Sequence, residues 1–188
     1  MKREKLRAIR EAVRASRGIP IALFWSSTFA GQLPIEQKGP KAAMTRVLVV
    51  DDHTVIRRGI QSILRAWPDW EIAGEAADGE EAIQLTRDVK PDIVLMDISM
   101  PRMGGLEATR AIRKVCPEVK ILLLTLHDSL EWVEIALQAG ARGYLLKSDT
   151  EGELVRALNV VAGNGIYVSP SLDADRVKKI IVDIGSTV

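Results

Sequence analysis

Residues 93–97 read Ile-Val-Leu-Met-Asp, four apolar side chains with no polar alternation, closed by a carboxylate. A strand with one wet face alternates polar and apolar positions. A strand covered on both faces of a parallel sheet reads instead as a continuous apolar run. The same grammar recurs three times: Val47-Leu48-Val49-Val50 before Asp51-Asp52, Ile121-Leu122-Leu123-Leu124 before Thr125, and Tyr144-Leu145-Leu146 before Lys147. Glu71 to Ala76 is a weaker run of the same kind.

Segments of helical spacing separate these runs. Val55, Ile56, Ile60, Ile63 and Leu64 share one stripe. Gly79 to Val89 carries Ala82, Ile83, Leu85 and Val89, and Gly105 to Val115 carries Leu106, Ala108, Ile112 and Val115. Leu130 to Ala139 carries Val133, Ala136 and Leu137 and stops at Gly140, a residue that ends helices well. Thr150 to Ala162 carries Leu154, Val155, Leu158 and Val161, with Thr150 as the expected N-cap and Glu153 at the matching box position. Five strand–helix repeats predict an α/β fold, a (βα)₅ doubly wound parallel sheet with helices on both faces. Ligands of such sheets collect at the carboxyl ends of the strands.

The 188 residues are 47% hydrophobic and 27% charged, a globular composition. The net charge of +1 hides an asymmetry. Residues 1–44 hold 9 Lys/Arg against 3 Glu, a balance of +6, and residues 45–188 hold 17 against 22, a balance of −5. A basic leader therefore precedes a mildly acidic domain. Cys116 is the single cysteine, so no disulfide forms within the chain and a reducing, cytoplasmic location is expected. No apolar run approaches the roughly 18 residues of a spanning helix.

The topology gathers Asp51 and Asp52, Asp97, Thr125 and Lys147 at one edge of the sheet. One Asp after a strand is commonly a turn or cap residue; four strand ends that all carry such groups are a different matter. Clustered carboxylates repel one another unless a cation neutralises them. A hard divalent ion such as Mg²⁺ suits an all-oxygen set. Lys147 adds a mobile point charge and Thr125 a hydroxyl donor. The set is suited to moving a phosphoryl group onto a carboxylate by positioning and charge neutralisation.

Val-Asp-Asp-His (50–53), Leu-Met-Asp-Ile-Ser-Met-Pro (95–101), Gly-Gly-Leu-Glu-Ala (104–108), Leu-Thr-Leu-His (124–127) and Gly-Tyr-Leu-Leu-Lys (143–147) resemble the receiver domain of two-component response regulators. Residues 51–60 and 139–147 are most similar to the NarL/FixJ (LuxR-type) subfamily. The resemblance covers about residues 45–170 and implies a flavodoxin-like (CheY-like) fold. It implies that Asp97 accepts a phosphoryl group from a sensor histidine kinase, with Mg²⁺ held by Asp51, Asp52, Asp97 and the backbone carbonyl of Ser99. Thr125 and Lys147 would engage the phosphoryl group, Tyr144 would be the switch aromatic, and Ser99 and His127 would tune the rate of dephosphorylation. Beyond labelling and unlabelling its own aspartate, such a protein is not an enzyme. Leu126 stands where many receivers have a small residue, and Ser148 where many have proline.

The flanks carry further expectations. Lys2 to Arg17 holds seven Lys/Arg, with Leu6, Ile9 and Val13 on one stripe, and the apolar stretch Ile19 to Phe29 follows. Met44-Thr45-Arg46 looks like a natural receiver start. Residues 1–44 are therefore expected to be disordered or to lie upstream of the true start; a functional tail and a targeting signal are the alternatives. The receiver is expected over 45–168, and a linker with a short amphipathic helix (Val177, Ile180, Ile181, Ile184) over 169–188. The subfamily's helix-turn-helix has no room there, so direct DNA binding is not expected. The output would be an unidentified downstream protein, and homodimerisation through a receiver face stays open. Two other functions remain. One is the regulatory half of a LuxR-type transcriptional regulator. The other is an aspartate-nucleophile phosphatase of the haloacid-dehalogenase kind, whose motif needs a second Asp where His53 stands.

Overall fold

The computed structural model describes residues 44–185; the expectations for residues 1–43 lie outside them. The elements run β1 (Thr45–Val50), α1 (Thr54–Arg65), β2 (Trp70–Ala76), α2 (Gly79–Val89), β3 (Ile93–Asp97), α3 (Gly105–Val115), β4 (Lys120–Thr125), α4 (Leu130–Gln138), β5 (Gly143–Leu146), α5 (Thr150–Ala162), β6 (Tyr167–Val168) and α6 (Ala174–Gly185). All strands are parallel, in the order β2-β1-β3-β4-β5-β6. The (βα)₅ reading holds. The sixth strand is an addition, too short for any periodicity to announce it.

Successive strand residues serve opposite faces of the sheet. Leu48, Val50, Val94, Met96, Ile121, Leu123, Tyr144 and Leu146 pack with Ala82 of α2, Ala108 and Ile112 of α3 and Val133 and Ala136 of α4. Val47, Val49, Ile93, Leu95, Leu122, Leu124 and Leu145 pack with Ile60 and Leu64 of α1 and Leu154, Leu158 and Val161 of α5. Both faces are dry, which is why the runs lack polar alternation. α6 joins the first of these layers through Val177, Ile180, Ile181 and Ile184, with Leu172 of the preceding turn beside them, and packs on α4.

Two local expectations need correction. Val55, placed on the apolar stripe of α1, is 80% exposed, because the 3–4 spacing of a helix sets it with Arg58, Gly59 and Ser62 on the exposed face, while Ile56 of the same turn packs on the core. Thr150 is not an N-cap. A 3-10 turn at Lys147–Asp149 leads directly into α5, and Asp149 takes the cap position without making a cap hydrogen bond. Glu153 turns instead to the Tyr167 hydroxyl, which donates to it at 2.7 Å.

Register aligns the strand ends. Val50 lies opposite Met96, Asp97 opposite Leu124 and Thr125 opposite Leu146. The loop after β3 is drawn back under this edge, with Gly105 N–H donating to Ile98 O at 2.9 Å. A Cβ on Gly105 would lie 2.1 Å from the Asp97 carbonyl oxygen, so only glycine fits. The same loop is tied to α2. Gly79 N–H donates to Met103 O at 3.1 Å, and Arg102, at φ 64°, pairs with Asp78, whose carboxylate also caps α2 by accepting from Glu81 N–H at 2.9 Å.

Gly105→Ala is therefore expected to destabilise the fold by about 1–3 kcal/mol, the usual cost of forcing atoms into a packed site. Urea unfolding measures it, and an unchanged midpoint would contradict the close approach.

Candidate functional site

The ends of β1, β3, β4 and β5 deliver Asp51, Asp97, Thr125 and Lys147 to the carboxyl edge. Asp51 is fully buried and Asp97 is 3% exposed. Buried charges persist only when paired, and Lys147 pairs both: its Nζ donates to Asp51 Oδ2 at 2.8 Å and to Asp97 Oδ2 at 2.7 Å. The remaining oxygens take backbone donors, His53 N–H to Asp51 Oδ1 at 2.8 Å and Ser99 N–H to Asp97 Oδ1 at 3.2 Å. Thr125 is buried, and its Oγ1 accepts from His127 N–H at 3.0 Å. Asp51, Asp97 and Lys147 thus meet directly, and Thr125 lies at the same edge, opposite Leu146.

Titration follows from this packing. Burial pushes the Asp97 carboxyl above its ordinary value, against the opposing pull of the Lys147 and Ser99 hydrogen bonds. Burial also disfavours the Lys147 ammonium, but hydrogen bonds from it to Asp51 and Asp97 outweigh that and raise its pKa. Burial pushes the Tyr144 phenol up to about 12. Tyr144 has its ring wholly inside, and its hydroxyl donates to the backbone carbonyl of His127 at 2.7 Å.

Asp52 sits at the mouth. Its Oδ1 is buried with no hydrogen-bond partner. His53 Nδ1 lies only 2.7 Å from it, but outside hydrogen-bonding alignment. A buried carboxylate oxygen lacking a donor, beside a second carboxylate, fits a hard cation such as Mg²⁺. Among the described residues, the ligand-type groups lying within 4.8 Å of one another are Asp51, Asp52 and His53. Asp97 is not in that group; its carboxylate is held by Lys147 and Ser99. Imidazole nitrogen suits softer ions better than Mg²⁺, so the oxygens are the matching donors.

Some neighbours carried no signal in sequence. Arg57 of α1 donates from Nη1 to the Asp51 carbonyl at 2.7 Å and from Nε to Glu75 of β2 at 2.9 Å, which pins the loop bearing the acidic pair. The charge at the fourth position of α1 was visible, but its target was not. The His127 ring stacks on Trp132, with centroids 4.3 Å apart, and His127 Nε2 lies 3.3 Å from Ser99 Oγ. Ser99 and His127 thus meet across the site from the loops after β3 and β4. Leu126 is 79% exposed, and the Lys147–Ser148 peptide is trans.

The family model described as the response regulator receiver domain matches residues 47–159. The transcriptional regulatory protein DegU of Brevibacillus brevis is 39% identical over 71% of this chain and 57% of its own. The response regulator GacA of Pseudomonas viridiflava is 41% identical over 69% of this chain and 60% of its own. The chain thus spans less than two thirds of the length of these relatives. A solved LuxR-family two-component response regulator from Aurantimonas superposes with a TM-score of 0.69 at 36% identity, covering 74% of this chain and 99% of that one. No helix among the described residues is long and apolar enough to cross a membrane. Fold, strand-end chemistry and relatives agree: the chain belongs to the receiver-domain family of two-component response regulators, and its homologues are of the NarL/LuxR type.

Proposed function

We propose that Asp97 is the phosphoacceptor of this receiver and that the chain works as a phosphorylation-dependent switch of protein contacts. The observation that carries this reading is the Lys147 ammonium, bonded at once to Asp51 and Asp97 at the carboxyl edge of the sheet. An Asp97 oxygen attacks the phosphorus of a sensor kinase phosphohistidine. The P–O bond forms as the P–N bond breaks, and the electron pair leaves on the imidazole. Lys147 releases one carboxylate and holds a phosphoryl oxygen, and Thr125 turns its hydroxyl proton toward another. Asp51, Asp52, Asp97 and the Ser99 carbonyl would hold Mg²⁺, which when bound neutralises phosphoryl charge.

The readout follows from what Thr125 touches. Its hydroxyl holds His127 N–H, and the His127 carbonyl holds the Tyr144 hydroxyl. Movement of Thr125 toward a phosphoryl group therefore strains the loop that fixes Tyr144, which repacks the face around α4 and β5. Ser99 and His127 tune how long the acyl phosphate survives. The protein has no other substrate, acts in the cytoplasm and passes its state to a downstream protein, with or without dimerisation through a receiver face. The domain division that goes with this is a basic leader over 1–44, a receiver over 45–168 and a terminal segment over 169–188.

A second reading draws on the relatives, whose names include transcriptional regulators longer than the matched region. It makes this chain the regulatory half of a LuxR-type regulator. Specific, salt-resistant operator binding by residues 1–188 would favour it.

Two outcomes are expected. Asp97→Asn abolishes labelling by acetyl phosphate with Mg²⁺, followed on a phosphate-affinity gel; stoichiometric, hydroxylamine-sensitive labelling of that variant would overturn the assignment. The second concerns Tyr144, whose folded pKa of about 12 exceeds the ordinary 10.0. The unfolded phenol ionises first, so the neutral ring's contribution is complete below pH 10 and is lost as pH rises through about 12. Urea midpoints measured upward from pH 9 should fall less steeply above pH 10 in Tyr144→Phe than in the wild type, and equal slopes would contradict the buried phenol.

A further inference from the structure

Lys147 reaches two carboxylates on a flexible four-carbon stem, which loses considerable rotamer freedom when its tip is fixed. Its aim therefore depends on the backbone that carries it. That backbone lies at the end of β5 and in the 3-10 turn Lys147–Asp149, and it is gripped on both sides by residues more than twenty positions later. Before Lys147, the buried N–H of Leu146 donates to Ser169 Oγ at 2.8 Å. The β5–β6 ladder has already run out at Tyr144 opposite Val168, so the serine side chain replaces a missing strand partner. Ser169 N–H in turn donates to Tyr144 O at 2.9 Å. After Lys147, the Ser171 hydroxyl donates to both Asp149 oxygens, at 2.9 and 2.8 Å. Asp149 stands at the N-cap of α5 yet makes no cap hydrogen bond; its carboxylate is turned to Ser171 instead.

The family match ends at residue 159, so both serines lie outside the matched receiver. We propose that Ser169 and Ser171 are positioning residues for Lys147, making phosphotransfer depend on the segment that follows α5. Neither serine touches the reacting atoms. They clamp Leu146 and Asp149, and the clamp holds the ammonium on Asp51 and Asp97. The same segment continues through Leu172 and Val177 into the layer under α4, so a pull on the chain beyond residue 169 reaches the phosphoacceptor through this clamp. The inference rests on phosphotransfer at Asp97 and adds a residue-level condition to it.

The test uses the full chain with Ser171→Ala, Ser171→Thr, Ser169→Ala and Ser169→Thr, and reads two quantities. One is the rate of Asp97 labelling by acetyl phosphate with Mg²⁺. The other is the ¹⁵Nζ resonance of Lys147, assigned by its loss in Lys147→Met. The alanine variants should label about tenfold more slowly, the scale expected when a catalytic group is displaced by a fraction of an ångström, and their Lys147 resonance should shift or broaden. The threonine variants keep the hydroxyl and should restore both readings. Ser171 is exposed, so its alanine variant keeps the test valid even where Ser169→Ala perturbs packing. A wild-type labelling rate in Ser171→Ala would overturn the proposal, as would slowed labelling with an unmoved Lys147 resonance. Failure of the wild type to label at Asp97 would overturn the phosphotransfer reading instead, while the Lys147 resonance would still judge the clamp.

Discussion

One ammonium shared by two buried carboxylates sets the terms for the rest of this molecule. Lys147 Nζ sits 2.8 Å from Asp51 and 2.7 Å from Asp97, and neither acid is accessible enough for water to replace it. Left without that cation, two buried anionic groups would face each other across adjacent strands at a cost of several kcal/mol. The arrangement is stable but biased. A ligand bringing its own negative oxygens and a divalent cation would compete for the same partners and exchange one charge pairing for another.

The parallel sheet makes that exchange possible. Three strand ends, β1, β3 and β5, carry Asp51, Asp97 and Lys147, and parallel pairing puts all three on one edge. The dry layers above and below hold the strands in register, and the glycine at 105 lets the loop after β3 pass against the Asp97 carbonyl. Around the edge, Arg57 fixes the loop after β1, while Thr125, His127 and Tyr144 form a chain of hydrogen bonds along the loop after β4. That chain runs from a hydroxyl at the carboxyl edge, through an amide, to a phenol in the core.

Much of this is legible in the sequence. Asp97 and Lys147 each end an apolar run, and a parallel sheet leaves no other place for the ends of such runs than a common edge. The parts that escaped are those that depend on where an element stops or on a partner far away in sequence. Val55 sits beside the apolar stripe of α1 in sequence, but the turn of the helix carries it round to the exposed face with Arg58, Gly59 and Ser62. Thr150 and Glu153 matched a capping pattern, but the 3-10 turn moved the cap to Asp149 and gave Glu153 to Tyr167. The two residues of β6 are too few to alternate. The His127–Trp132 stack and the serine clamp join positions that no local pattern connects.

On the proposed function a single carboxylate, Asp97, becomes the acyl phosphate. The most direct measurement is to treat the wild-type chain with acetyl phosphate and Mg²⁺, reduce it with borohydride, which converts an aspartyl phosphate to homoserine, and locate the product by peptide mass spectrometry. Homoserine is expected at position 97 alone. Homoserine at Asp51 or Asp52, or an unmodified Asp97 in protein that carries phosphate, would contradict it.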